Sequence, residues 1–127
     1  MSTDACAWCL PRDVDRARAA FAHADAARAA VLGLKFGGRR RIAVALAAPM
    51  REALGDLEVD AVTWVPLGPR RRRARGFDQA ELLARAVASG RGARAIPLLA
   101  RRVETAPQAR RDAEARRAAL ADAFVAR

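Results

Sequence analysis

Five arginines within six positions, Arg70, Arg71, Arg72, Arg73 and Arg75, are the densest group of chemistry-bearing side chains in the sequence. A guanidinium stays charged at any physiological pH and presents a planar fork of donors that matches phosphate oxygens. The run leads through Gly76 and Phe77 to Asp78, which stands as a helix N-cap with Glu81 three residues on as its capping-box partner. A helix start offers unpaired amides and a partial positive charge. Arg70, Arg73, Arg75, Gly76, Phe77, Asp78 and Gln79 therefore form a candidate phosphate or pyrophosphate site. The same run also fits a solvated basic loop. A second basic stretch, Lys35 with Gly37, Gly38, Arg39, Arg40 and Arg41, has two readings as well. Lys35 and Arg39 could reach the same anion, or the cations could complement the carbonyl end of a helix.

Other reactive residue types are sparse. Cys6 and Cys9 make one C-x-x-C, half of a zinc site, and His23 is the only histidine. Zinc takes four ligands, usually from two such pairs, so no closed site is expected within one chain. Residues 1–13 read as a vestigial or mobile end. His23 has no acidic or nucleophilic neighbour and reads as a surface or core histidine.

The elements that would position the arginines follow from hydrophobic period and turn residues. Val59 to Val65 reads as a buried strand, stopped by Pro66, Gly68 and Pro69. The arginines then form a loop. A helix follows from Asp78, with Leu82, Leu83, Ala86 and Val87 as its apolar face and Gly90 as its stop. Upstream, alanine content favours helix throughout residues 14–36. Asp25 is a candidate N-cap, Ala29, Leu32 and Phe36 a candidate face, and Gly37 and Gly38 the end. Ile42 to Leu54 reads as a helix with Val44, Leu46, Met50 and Leu54 inward and a kink or break at Pro49. Ala95 to Ala100 reads as a second parallel strand, interrupted or at an edge because of Pro97. Thr105 and Gln108 make another capping box, opening a helix from Ala106 to about Ala123 with Arg110–Glu114 and Asp112–Arg116 pairs. Strand, loop, helix and strand in that order imply a right-handed parallel unit of an α/β fold, whose ligands bind at the carboxyl ends of the strands.

Length and charge bound the partner. The 127 residues suit one domain with a modest core. The formal charge is +10, from 24 basic and 14 acidic residues, and all the basic residues except Lys35 are arginine. Such a charge implies an anionic partner, either a phosphorylated ligand or nucleic acid, although a GC-rich coding sequence would also raise the arginine share. Trp8, Trp64 and four phenylalanines are the aromatic residues that could stack on bases, and most are expected inside. The first residues lack the basic and apolar regions of a signal peptide, and no apolar run is long enough to span a membrane, so a cytoplasmic location is expected.

The stretch VPLGPRRRRARGFDQAELLA resembles the ComF family of phosphoribosyltransferase-like proteins, in which a strand ending V-P-L is followed by spaced arginines, R-G-F-N-Q and a helix. LGLKFGGRR is similar to the family's K-F-x-G segment, and ETAPQ and ARRAALADAF are similar to its later segments, so the likeness spans residues 16–125. Asp78 replaces the family's usual Asn, and Ala119 stands where another Asn would fall. The resemblance implies an extended segment near Arg16 to His23, and a partial phosphoribosyltransferase-like α/β fold over residues 14–127: a short parallel sheet with flanking helices and one apolar edge exposed. It also implies Mg²⁺ and phosphoribosyl pyrophosphate as cofactor and donor, with the arginine loop holding pyrophosphate. A basic module that binds single-stranded DNA or a partner protein in DNA uptake is the alternative, and a remnant without ligand is a third. The family's D-D-x-x-T-T-G-x-T segment has no counterpart here, since the sequence contains no Asp–Asp pair and its threonines are Thr3, Thr63 and Thr105. The expectation is a truncated product, inactive alone as a transferase.

Overall fold

A computed structural model describes residues 14–102, 113–120 and 122–127. Along these residues run α1 (Asp25–Phe36), α2 (Ile42–Leu54), β1 (Ala61–Val62), α3 (Pro69–Arg75), α4 (Gln79–Ser89), β2 (Arg94–Ala95), β3 (Leu99–Arg101), α5 (Ala113–Leu120) and β4 (Phe124–Ala126). β1 pairs in parallel with β2, Ala61 opposite Arg94 and Val62 opposite Ala95. β3 pairs antiparallel with β4, Leu99 opposite Ala126 and Arg101 opposite Phe124. The fold is thus mixed α/β, with α3 and α4 connecting the two parallel strands.

The core is small and is built where three helices meet. Leu34 of α1, Ala43 and Leu46 of α2, and Phe77 form a buried cluster, surrounded by Ala30, Val31, Ile42, Leu82 and Leu83. α2 packs chiefly on α4. The buried positions on that pair are Ala43, Leu46 and Ala47 on one helix and Ala84, Val87 and Ala88 on the other. Alanines at four of these six positions let the helix axes approach closely and cost little side-chain entropy. Arg51 fastens the pair by donating from Nη1 to the Ala86 carbonyl at 3.1 Å, near the carbonyl end of α4 where a cation is favoured.

Several expectations change here. α1 begins at Asp25, but Ala24 occupies the N-cap position and makes no side-chain cap. Its inward face is Ala30, Val31 and Leu34, while Ala29, Leu32 and Phe36 are exposed. The helix is turned by about one residue because Leu34, rather than Phe36, reaches the meeting point of α2 and Phe77. In α2, Leu46 is buried as read, but Val44 lies outside at 67% exposure. α2 continues through Pro49 without a break. Pro49 removes one amide donor in a helix otherwise held by its packing on α4. Residues 14–24 contain no helix, contrary to the expectation from alanine content, and His23 is exposed.

The strands are shorter than the sequence suggests. Only Ala61 and Val62 of the Val59–Val65 run pair, and Val59 and Val65 are exposed. The Ala95–Ala100 run divides at Pro97, Arg94 and Ala95 going to the parallel pair and Leu99 to Arg101 to an antiparallel one. Pro97 cannot donate to a ladder, so the chain changes partner across it. At the other end α5 stops at Leu120, Ala123 is buried, and Phe124 to Ala126 is a strand rather than the close of a helix. The Thr105–Gln108 capping box, Arg110, Asp112 and the Cys6–Cys9 pair lie outside the described residues, as does the Arg116 side chain.

Asp78 joins these parts. It is 3% exposed, and both carboxylate oxygens accept from backbone amides. Oδ1 accepts from Ala80 and Glu81 at 3.0 and 3.4 Å, capping α4, and Oδ2 accepts from Leu67 at 2.7 Å, beyond the end of β1. A buried carboxylate is tolerated when amides satisfy it in this way. Asp78→Ala removes a cap and leaves a part-buried Leu67 amide without its partner, and it should destabilise the fold by about 2–4 kcal/mol. Asp78→Asn keeps one oxygen for the cap but turns a donor toward Leu67 or leaves it unpaired, so its loss should be roughly half as large. Urea unfolding of the three proteins would check this order; equal stability of Asp78→Ala and the parent would refute it.

Candidate functional site

The arginine run is a helix, not a loop. Gly68, extended at φ −64° and ψ 149°, occupies the N-cap, Pro69 opens the first turn, and Gly76 closes α3 in the left-handed conformation. Proline suits the first turn because its missing amide has no intrahelical partner there, and glycine suits the left-handed stop. Coiling the run separates arginines that are adjacent in sequence. Arg71, Ala74 and Arg75 lie three and four residues apart on one face and line a common cleft. Arg72 points elsewhere, its Nη2 donating to Glu81 Oε2 at 3.3 Å. Arg70 and Arg73 are exposed and do not line the cleft.

The cleft has a volume of about 330 Å³. Its other walls are Lys35, Phe36 and Gly38 from the end of α1, with Phe77 from the core. The two basic stretches thus meet: Lys35 and Arg75, distant in sequence, face one hollow. Among the described residues lining it none is acidic. Two other hollows are larger, about 580 and 370 Å³, but acids share their walls with arginines. Asp56 and Glu58 face Arg16 and Arg18 in the first, and Glu58 and Asp60 face Arg91 in the second. Opposite charges there offset one another, so the smaller cleft, whose charged walls are all cationic, is the better anion site.

Arg75 is held from two sides. Its Nη1 donates to Gln79 Oε1, and its Cζ lies 5.3 Å from the centre of the Phe36 ring. Stacking uses the face of the guanidinium and leaves edge donors for a ligand. Arg40 acts differently. It lies over Phe77 at 4.8 Å, and its Nη2 donates to the Gly76 carbonyl at 3.2 Å, bracing the turn between α3 and α4.

Of the residues expected to bind phosphate, Lys35, Arg75 and Phe77 line the cleft. Gln79 orients Arg75, and Gly76 makes the turn. Asp78 belongs to the fold: its carboxylate already occupies the amides at the start of α4, which an external phosphate would otherwise take. Glu81 holds Arg72 and also receives Arg85 Nε and Nη2, at 3.0 and 2.9 Å. Arg39 is exposed and outside the cleft walls. Arg71, Phe36 and Gly38 were not among the candidates. The signal for Arg71 is the Gly68–Pro69 opening and Gly76 stop, which mark a helix and pair Arg71 with Arg75. No group of three or more metal-ligating side chains occurs among the described residues. No described helix is long and apolar enough to cross a membrane.

Searches against protein-family models, curated proteins and solved structures found no match.

Gly76 has φ 79° and ψ −2°, and a Cβ there would meet only Arg40 Nη2, at 3.6 Å. Space is adequate, so the cost of a side chain is the left-handed backbone itself. Gly76→Ala should lower stability by about 1–2 kcal/mol and Gly76→Asn by less, because Asn tolerates this region. Thermal melting would check it. Equal losses for Ala and Asn would point to crowding against Arg40 instead.

Proposed function

We propose that the chain binds a phosphate or pyrophosphate group of a phosphorylated small molecule in the cleft between the end of α1 and α3. The observation that carries this reading is the convergence of Lys35, Arg71 and Arg75 on one hollow free of acids among its described walls. Arg75 is held by Gln79 and Phe36 before any ligand arrives, so little side-chain freedom remains to be lost on binding. Lys35 adds a point charge on a flexible stem opposite that fixed fork. The ComF-like sequence resemblance supports the same reading, with phosphoribosyl pyrophosphate as the kind of ligand and a phosphoribosyltransferase-like fold as its setting.

The reading stops at binding. A Mg²⁺ ion prefers hard oxygen ligands such as carboxylates, and the described cleft walls supply none. The cleft residues therefore do not fit that ion. What the cleft can supply is charge stabilisation for a bound or departing pyrophosphate.

Titration calorimetry with pyrophosphate at fixed ionic strength tests the proposal. One saturable site is expected. Arg75→Ala should weaken it by about 1–3 kcal/mol, the size of a charged hydrogen bond, and Lys35→Ala by a similar amount. Arg72→Ala, whose guanidinium is turned to Glu81, should change it little. If Arg72→Ala costs as much as Arg75→Ala, the arginines act as a diffuse basic surface. A steep salt slope shared by pyrophosphate and unrelated oligonucleotides would favour a nucleic-acid-binding module.

A further inference from the structure

The hollow that Asp56 and Glu58 share with Arg16 and Arg18 is built on the chain that enters β1, whereas the cationic cleft is built on α3, which follows β1. Its volume is about 580 Å³, within the range of small-molecule sites. Two guanidiniums and two carboxylates face this one space without pairing across it. Among the described residues, ion pairs join Glu81 to Arg72 and to Arg85, and none joins these four side chains. All four are exposed, while Leu54 and Leu57, which also line the hollow, are half-buried and give it an apolar wall.

The turn that carries the carboxylates is fixed through its backbone. Arg91 donates from Nη1 to the Gly55 carbonyl at 2.9 Å and from Nη2 to the Leu57 carbonyl. The Gly55 and Leu57 amides donate to the carbonyls of Glu52 and Leu54 at 3.0 and 3.3 Å. Arg91 also shares the neighbouring hollow with Glu58, but these bonds commit it to carbonyls rather than to the carboxylate. The backbone of the turn is thus tied within the chain, and its acidic side chains are left to the hollow. A direct surface ion pair gains little, because two long side chains must give up their freedom to form it. A small molecule that carries both charges changes the balance, since each end that binds presents the other at high local concentration.

We propose that this hollow binds a small zwitterion, an α-amino acid or short peptide with an aliphatic side chain. Its carboxylate is taken by Arg16 and Arg18, its ammonium by Asp56 and Glu58, and its side chain lies against Leu54 and Leu57. No bond is made or broken. The site shares no residue with the phosphate cleft, and neither reading depends on the other.

The test follows backbone amide shifts of the full-length chain on addition of L-leucine, N-acetyl-leucine, which lacks the ammonium, and leucinamide, which lacks the carboxylate. Leucine should move Arg16–Arg18 and Leu54–Glu58 together and saturably. Each of the other two should bind at least about tenfold more weakly, the scale of one charge-assisted hydrogen bond. Asp56→Asn with Glu58→Gln should abolish the advantage over N-acetyl-leucine, and Arg16→Gln with Arg18→Gln the advantage over leucinamide. Because these side chains are exposed, the fold should persist, and far-ultraviolet circular dichroism would verify it. Leucyl-leucine, whose charges lie farther apart, separates the two sources: tighter binding than leucine marks a peptide site, weaker binding an amino-acid site. Absence of saturable shifts with both leucine and leucyl-leucine would overturn the proposal. So would an order of N-acetyl-leucine, leucine, leucinamide, which is what the net positive charge alone would produce. Displacement of leucine by pyrophosphate would also overturn it, by showing a general charge effect rather than two separate sites.

Discussion

The buried carboxylate of Asp78 holds together the segment on which everything else depends. Three backbone amides from two places in the chain converge on it, Leu67 after β1 and Ala80 and Glu81 at the start of α4. It thereby closes the excursion from Leu67 to Asp78, and α3 lies within that closure. Phe77, next to Asp78, enters the core with Leu34 and Leu46. The turn is therefore fastened by hydrogen bonds on one side and by apolar packing on the other. Arg40, stacked on Phe77 and bonded to Gly76, braces it from α2's leading end. The direction of α3, and hence of Arg71 and Arg75, follows from this corner.

The anion-binding capacity of the α4 start is used internally. An amide cluster at a helix N-terminus favours negative charge, and here the chain supplies that charge itself. The role left to the arginines is correspondingly narrower than their number suggests. Arg40, Arg51, Arg91 and Arg101 donate to the carbonyls of Gly76, Ala86, Gly55 and Pro66, joining segments more than thirty residues apart. Arg101 also lies over Phe124 at 5.1 Å and Arg85 over Trp64 at 5.8 Å. With a core of mostly small side chains, long guanidiniums supply cross-links that larger apolar residues provide elsewhere. High arginine content is thus partly structural, and the ligand reading rests on Lys35 and Arg75 with Arg71 rather than on net charge.

Much of the local structure was legible where one residue type dictates one geometry. Asp78 as an N-cap, Gly37 and Gly90 as helix ends, and Pro97 as a break in a strand all follow from backbone chemistry that does not depend on tertiary context. Positions decided by packing were not legible. The α1 face turns by one residue because Leu34 finds Phe77, and no periodicity in an alanine-rich helix separates Ala29–Leu32–Phe36 from Ala30–Val31–Leu34. The helical state of Pro69 to Arg75 was masked by its charge, since a run of arginines reads as solvated loop unless the flanking Gly68–Pro69 and Gly76 are given priority. The meeting of Lys35 with Arg75 depends on how α1 packs, which lies beyond the reach of sequence spacing.

The convergence of the two basic stretches on one cleft is the claim on which the functional reading stands. It is tested most directly by following backbone amide and arginine Nε–H signals of the isotopically labelled protein by nuclear magnetic resonance during addition of pyrophosphate at moderate salt. Shifts that saturate together and are confined to Lys35–Gly38 and Arg71–Phe77 are predicted. Shifts spread over Arg16, Arg18, Arg91 and the exposed arginines, without saturation, would contradict it.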